Sequence, residues 1–280
     1  MNTFLRRMTY RPELKMLARV FGLRNILRDQ YFRWTRPADG VLTFGVGRVA
    51  GRFHVGTPGE LRNLDPAGGA QNERHLLEQL IAEMRFGEVA YDVGANVGLY
   101  SVLLAQAVGP EGCVIAFEPD SQSYLHLQQN LALNGLTNVR ALPTALGEER
   151  VVSKLYRGEG NADSSLVRPA ADKDLGHQLV EVVRGDELVE SQNLPVPRLV
   201  KIDVEGYEYA VLNGLRKTLA HPACEIVCCE VHPRLLPPEV KPEAIVNFLH
   251  SLGFASLDSR PRFDTFHLLA RKPAIRETRN

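Results

Sequence analysis

The chain has 280 residues, 44% hydrophobic and 24% charged, and its 33 Lys+Arg balance 33 Asp+Glu. That is apolar material enough for one sizeable core, and zero net charge excludes bulk attraction to nucleic acid or another polyanion. No run reaches the roughly 20 apolar residues of a membrane span, no apolar secretory signal opens the chain, and the four cysteines have neither zinc spacing nor a disulfide pattern, so a cytoplasmic protein is expected.

Charge is unevenly placed. Residues 1–36 carry nine Arg/Lys against Glu13 and Asp29, a local +7 that leaves −7 on the remainder. Met16, Val20, Leu23, Leu27, Tyr31 and Trp34 recur at spacings of four and three, predicting an amphipathic helix over 13–35. Such a basic helix suits packing on the main domain or on a sister subunit of a homodimer, or peripheral docking at a membrane surface.

A short hairpin punctuated by Gly45, Gly47 and Gly51 is expected over Val41–Val55. A helix over Gln71–Phe86 follows, with Leu77, Leu80, Ile81 and Met84 on one face. From residue 88 the pattern alternates: strand Glu88–Val93, helix Val97–Val108, strand Cys113–Phe117, helix Ser121–Leu133 capped by Ser121, and strand Val139–Leu142. Residues 147–187 break the rhythm, with strands at Val151–Tyr156 and Leu179–Arg184 bracketing a polar stretch, Gly158–Asp174, and read as an insertion. Strand Leu199–Asp203, helix Tyr207–Ala220, strand Cys224–Val231 and helix Ala244–Leu252 resume the alternation, and strands Phe254–Asp258 and Phe266–Ala270 end it. The alternation predicts an α/β fold, a mostly parallel sheet with helices on both faces and an antiparallel pair at one edge. Residues 1–70 form an extension, 71–272 the main domain and 273–280 a polar tail.

The first strand of the alternation runs into Asp92-Val93-Gly94-Ala95-Asn96-Val97-Gly98. Gly94 permits a tight turn against a ligand, Gly98 lets the helix start close to the sheet, and Asn96 stands where a side chain would cap that helix. A dinucleotide binder uses G-x-G-x-x-G with no carboxylate facing the phosphates. The missing third glycine disfavours an NAD-dependent oxidoreductase, and an acid leading the loop suits an ammonium or sulfonium ligand. Glu118 ends the next strand 24 residues after Gly94, near the roughly 20-residue spacing at which an acid meets ribose hydroxyls.

Together with Phe117-Glu118-Pro119, Asn130–Asn134, Lys201-Ile202-Asp203-Val204-Glu205-Gly206-Tyr207-Glu208 and Glu230-Val231-His232, this loop resembles the FkbM family of S-adenosylmethionine (SAM)-dependent methyltransferases over residues 73–272. The resemblance implies a Rossmann-like methyltransferase fold with a seven-stranded sheet. It also implies that Asp92, Gly94, Ala95, Asn96 and Gly98 line the methionine end of SAM, Glu118 and Pro119 the ribose, and Thr144, Ala145 and Leu146 the adenine. Pro143-Thr144 and Arg184-Gly185-Asp186 depart from the family's usual residues.

Asp203 and Glu205 follow one strand, and Glu230 and His232 end the next, so neighbouring parallel strands bring them together. They are the candidate catalytic residues, with Asp203 also able to hold SAM's amino group and His232 a base whose charge changes near neutral pH. Hard ligands at Asp203, Glu230 and His232 are compatible with a divalent metal, but spacing alone assigns none. Lys201 is expected to pair with an acid, and Cys228-Cys229 to be strand packing. The expected function is SAM-dependent O-methylation of a sugar, glycan or natural-product hydroxyl, an acceptor class that comes from the resemblance; N-methylation and a non-catalytic SAM-binding scaffold are the alternatives.

Overall fold

The computed structural model describes residues 36–57, 60, 61, 64, 69–158, 164–167, 176–262 and 264–273, together with Phe32. The basic helix expected over 13–35, apart from Phe32, and the tail beyond residue 273 lie outside the described residues. Among the described residues no helix is long and apolar enough to cross a membrane.

A hairpin comes first, β1 (Val41–Val46) and β2 (Val49–His54), its alternate residues Leu42, Phe44, Val46 and Phe53 turned inward. There follow α1 (Gly69–Glu83), β3 (Val89–Val93), α2 (Leu99–Val108), β4 (Cys113–Phe117), α3 (Ser121–Leu133) and β5 (Val139–Leu142). The inserted region contributes β6 (Ala145–Gly147), β7 (Val151–Tyr156) and β8 (His177–Arg184), a separate small sheet in the order β6-β8-β7. The chain ends with α4 (Gly185–Ser191), β9 (Leu199–Ile202), α5 (Glu208–Gly214), α6 (Arg216–Ala220), β10 (Ile226–Val231), α7 (Pro242–Ser251), β11 (Ser256–Arg262) and β12 (Thr265–Arg271).

The main sheet has seven strands in the order β11-β12-β10-β9-β3-β4-β5. All neighbours from β10 to β5 pair in parallel, while β12 pairs antiparallel with both β10 and β11. This is the Rossmann-like arrangement expected, with Pro261 confined to the edge strand β11, where a missing ladder donor is tolerated. Successive strand residues serve opposite faces. Ala90, Val114 and Cys228 join a core built with the hairpin, α1, α2 and α3, whereas Tyr91, Ile115, Val200 and Val227 join one built with α5, α6 and α7. From β3 the chain winds outward to β4 and β5, then returns to lay β9 and β10 on the other side. The reversal falls between β3 and β9, where an open sheet leaves a crevice beyond its strand ends.

The hairpin shares the core of the main domain, so the division expected near residue 70 separates no independent unit from residue 41 onward. Its free edge is satisfied by side-chain amides. Asn134 accepts from the Arg52 N–H (2.8 Å) and donates to the Arg52 carbonyl (2.7 Å). Asn130, buried, accepts from the His54 N–H (2.8 Å) and donates to the Val97 carbonyl (2.8 Å).

Two local expectations are corrected. The helix expected over Tyr207–Ala220 is two, α5 and α6, parted at Leu215 (φ −100°, ψ 15°); the preceding Gly214 lies against β6, where a Cβ would stand 1.8 Å from the Gly147 carbonyl oxygen. Asp186 caps the second piece, accepting from the backbone N–H groups of Lys217 and Thr218, which accounts for the aspartate in Arg184-Gly185-Asp186. The cap of α3 is Asp120, not Ser121, since its carboxylate accepts from the N–H groups of Gln122 and Ser123. The Asn130→Ala variant strips partners from two backbone groups and is expected to cost about 2 kcal/mol or more in urea-unfolding free energy. Asn134→Ala, at a more exposed position, should cost less in the same measurement.

Candidate active site

The loop after β3 bends through left-handed conformations at Gly94 (φ 78°), Asn96 (φ 49°) and Gly98 (φ 90°). The N–H groups of Gly94 and Ala95 both donate to the Phe117 carbonyl, each at 3.0 Å. A Cβ on Gly94 would sit 1.8 Å from the Asp203 carbonyl oxygen, so the loop passes hard against the end of β9 and only glycine fits. A Cβ on Gly98 would meet Leu127 at 2.6 Å; this glycine sets the approach of α2 to α3. The N-cap position of α2 is taken by Gly98, not by Asn96 as expected.

Beneath the loop lies Lys201. Its Nζ donates to the Gly94 carbonyl (3.1 Å) and lies 3.4 Å from Asp92 Oδ1 and 3.6 Å from Asp203 Oδ2, above the ring of Tyr100. Burial works against this ammonium, but Asp92, Asp203 and Glu230 outweigh it and raise its pKa. Asp92 is fully buried, and its Oδ2 accepts from the Ser101 hydroxyl at 2.6 Å. The expectation that Asp92 lines the ligand's methionine end is thus corrected: it faces the lysine under the loop. Gly98 also stands off the cleft, its space taken by Leu127.

Above these groups runs a cleft of about 650 Å³. Of the residues expected to bind a cofactor, Gly94, Ala95, Asn96, Glu118, Pro119, Thr144, Ala145, Leu146 and Asp203 line it; of the expected catalytic residues, so do Glu205, Glu230 and His232. At one end Glu118 accepts from the Asn96 N–H through Oε2 (2.7 Å) and from the Asp120 N–H through Oε1 (2.8 Å). Burial pushes its pKa up to about 7, although the two backbone donors pull it down. Each of its oxygens retains a lone pair for a hydroxyl donor.

At the other end His232 is ringed by acids. Its Nδ1 is 2.7 Å from Glu208 Oε1, and its Nε2 lies 3.2 Å from Glu205 Oε2, 3.9 Å from Glu230 Oε1 and 4.0 Å from Asp203 Oδ1. Burial again works against the charge, but Glu205 and Glu208 overcome it and push the pKa up to about 11. The idea that His232 is a base titrating near neutrality is corrected: its acidic neighbours raise its pKa well above that range. Glu230 accepts from the Thr265 hydroxyl (2.9 Å) and lies 3.0 Å from His267 Nε2, while Tyr100 donates to Glu73 (2.6 Å).

The inserted sheet forms part of the wall. Leu155, Ser164 and Leu166 line the cleft, and the Ser165 hydroxyl donates to the Glu205 carbonyl. Sequence reasoning missed Glu73, Tyr100, Arg234, Asp264 and Thr265 as lining residues. Thr265 and Asp264 arrive by antiparallel return of β12, and Glu73 by docking of α1, neither of which leaves a local motif.

Residues 92–256 match the family described as the methyltransferase FkbM domain. The hexuronic acid methyltransferase AglP of Haloferax volcanii is 28% identical over 216 residues, covering 76% of this chain and 84% of the relative. The 31-O-demethyl-FK506 methyltransferase FkbM of Streptomyces tacrolimicus is 28% identical over 178 residues, covering 54% of this chain and 67% of the relative. A crystal structure of methyltransferase FkbM from Methylobacillus flagellatus superposes with a TM-score of 0.49 at 17% identity, over 69% of this chain and 46% of that one. The site fits the donor that such an enzyme uses: a buried acid for a ribose diol stands at one end, and exposed loop backbone lies beside a carboxylate-rich floor suited to a sulfonium and an ammonium. With more than half of its length matched, from the acid that opens the glycine loop to the first residue of β11, the chain belongs to the FkbM methyltransferase family, and SAM is its cofactor.

Proposed function

We propose that the protein is an O-methyltransferase acting on a hydroxyl of a sugar, glycan or hydroxylated natural product. One observation carries the reading: the cleft beyond the glycine loop gathers Asp203, Glu205, Glu230, His232, Asp264 and Thr265 on its wall, interleaved with Leu64, Leu155, Leu166, Val204, Tyr207 and Leu235. Acids and hydroxyls in that density suit a ligand rich in hydroxyl donors, which would leave an apolar pocket with unpaired polar groups. The names of two relatives, one for hexuronic acid and one for 31-O-demethyl-FK506, support an oxygen-rich acceptor.

SAM, when bound, supplies a methyl group already activated by its sulfonium. Glu118 is placed to hold the ribose hydroxyls, the backbone of residues 94–96 with Asp203 to take the methionine end, and Thr144–Leu146 to flank the adenine. The chain's own contribution is to align the acceptor and to exclude water. An acceptor hydroxyl must also lose its proton, and Asp203, Glu205 and Glu230 are the carboxylates at hand to receive it.

Two outcomes test this. Calorimetry should show SAM binding, weakened about 10- to 100-fold by Glu118→Gln, the loss of charge-assisted hydrogen bonds. Because the Glu118 pKa is raised to about 7, the ionised acceptor exists above that pH and is lost below it. Affinity should therefore fall as pH drops through 7 in the native chain, and this slope should flatten in Glu118→Gln. A screen with labelled methyl groups should find transfer to hydroxyls of sugars or related polyols, with Asp203→Asn lowering kcat about 100-fold or more. Transfer only to amines, or SAM binding without transfer to any acceptor, would sink the O-methyl reading.

A further inference from the structure

We propose that Asp203, Glu205 and His232 are the protein ligands of a divalent-cation site, of the Mg²⁺ or Mn²⁺ class, at the acceptor end of the cleft. Their ligand atoms all lie within 4.8 Å of one another. His232 Nε2 stands 3.2 Å from Glu205 Oε2 and 4.0 Å from Asp203 Oδ1. Donors about 2.1 Å from an octahedral cation are separated by roughly 3 Å when adjacent and 4.2 Å when opposite, so these atoms already have the spacing of a coordination sphere. All three residues line the cleft, leaving the remaining positions of that sphere to water or acceptor.

A second observation is independent of this triangle. Glu208 is fully buried behind the imidazole. Its Oε1 takes both the Gly206 N–H (2.8 Å) and His232 Nδ1 (2.7 Å), while its Oε2 has no hydrogen-bond partner among the described residues. A half-satisfied, wholly buried carboxylate held against a histidine needs positive charge on the ring or bound through it. It also commits Nδ1 to donate, which leaves the Nε2 lone pair facing Asp203 and Glu205, the usual support of a metal-bound imidazole. Two carboxylates and a neutral imidazole would balance a dication, in the place that a proton fills otherwise. The other histidine–carboxylate group, Glu73–Glu230–His267, is bonded to the hydroxyls of Tyr100 and Thr265.

On the methyl-transfer reading, which this part of the inference rests on, the cation would hold two adjacent acceptor oxygens, as in a vicinal diol or a hydroxy acid, and polarise the one to be methylated. The test uses the full chain, stripped with a chelator, dialysed and titrated with Mn²⁺ alone, with bound metal read by electron paramagnetic resonance. One saturable site is expected, displaced by Mg²⁺, weakened at least about tenfold in Asp203→Asn and His232→Ala, and unchanged in Glu118→Gln. Paramagnetic broadening of the His232 ring signals in the native chain gives the same answer if the variants do not fold. Absence of a saturable site, or equal affinity in His232→Ala, overturns the proposal. SAM calorimetry on the same samples separates the two readings: SAM binding without Mn²⁺ binding removes only the metal site, whereas a native chain that binds no SAM removes the methyl-transfer reading itself.

Discussion

The buried ammonium of Lys201 is the tie on which the cleft depends. It joins the first strand of the alternation to the fourth at the place where the sheet reverses direction, holding Asp92, Asp203 and the Gly94 carbonyl at once. A lysine this deep is tolerated because the acids around it overcompensate its desolvation, and the acids are tolerated because of the lysine. The result is a loop that cannot rise away from β9, with a backbone contact so close at Gly94 that no side chain could intervene. The two halves of the cleft are therefore fixed relative to each other from below.

Above that floor the cleft divides by chemistry. Toward β4 and β5 there is one acid, Glu118, already engaged with two backbone donors, beside the small or apolar residues Pro119, Ala145 and Leu146. Toward β10 and β12 carboxylates crowd round a histidine. The first environment suits a nucleoside and the second something more heavily oxygenated. Their separation follows from topology, since strands wound outward in opposite senses from β3 deliver different segments to the two sides.

Much of this was legible before any coordinates. Alternating apolar runs located every strand of the main sheet, and the short link between the last two predicted their antiparallel pairing. The spacing from Gly94 to Glu118 likewise put an acid beside the glycine loop, because both sit on strand ends whose register the parallel sheet enforces. What could not be read was orientation. Asp92 and Glu118 both end strands, yet one turns under the loop to Lys201 and the other into the cleft, a difference set by the partner below. His232 was similarly misread from its unperturbed chemistry, since three of the four acids around it arrive from the neighbouring strand end, residues 203–208. Nor did Gly214 give any sign that no side chain would fit there, because its neighbour is the Gly147 backbone, more than sixty residues away in sequence.

Asn130 has a further bearing. One amide grips the hairpin with its oxygen and the glycine loop with its nitrogen. No carboxylate could replace it, having no hydrogen to give, and a longer amide would overshoot a span set by two rigid backbones. The two segments are in consequence mechanically linked: any strain applied to the leading strand pair would be transmitted to the bend of the glycine loop.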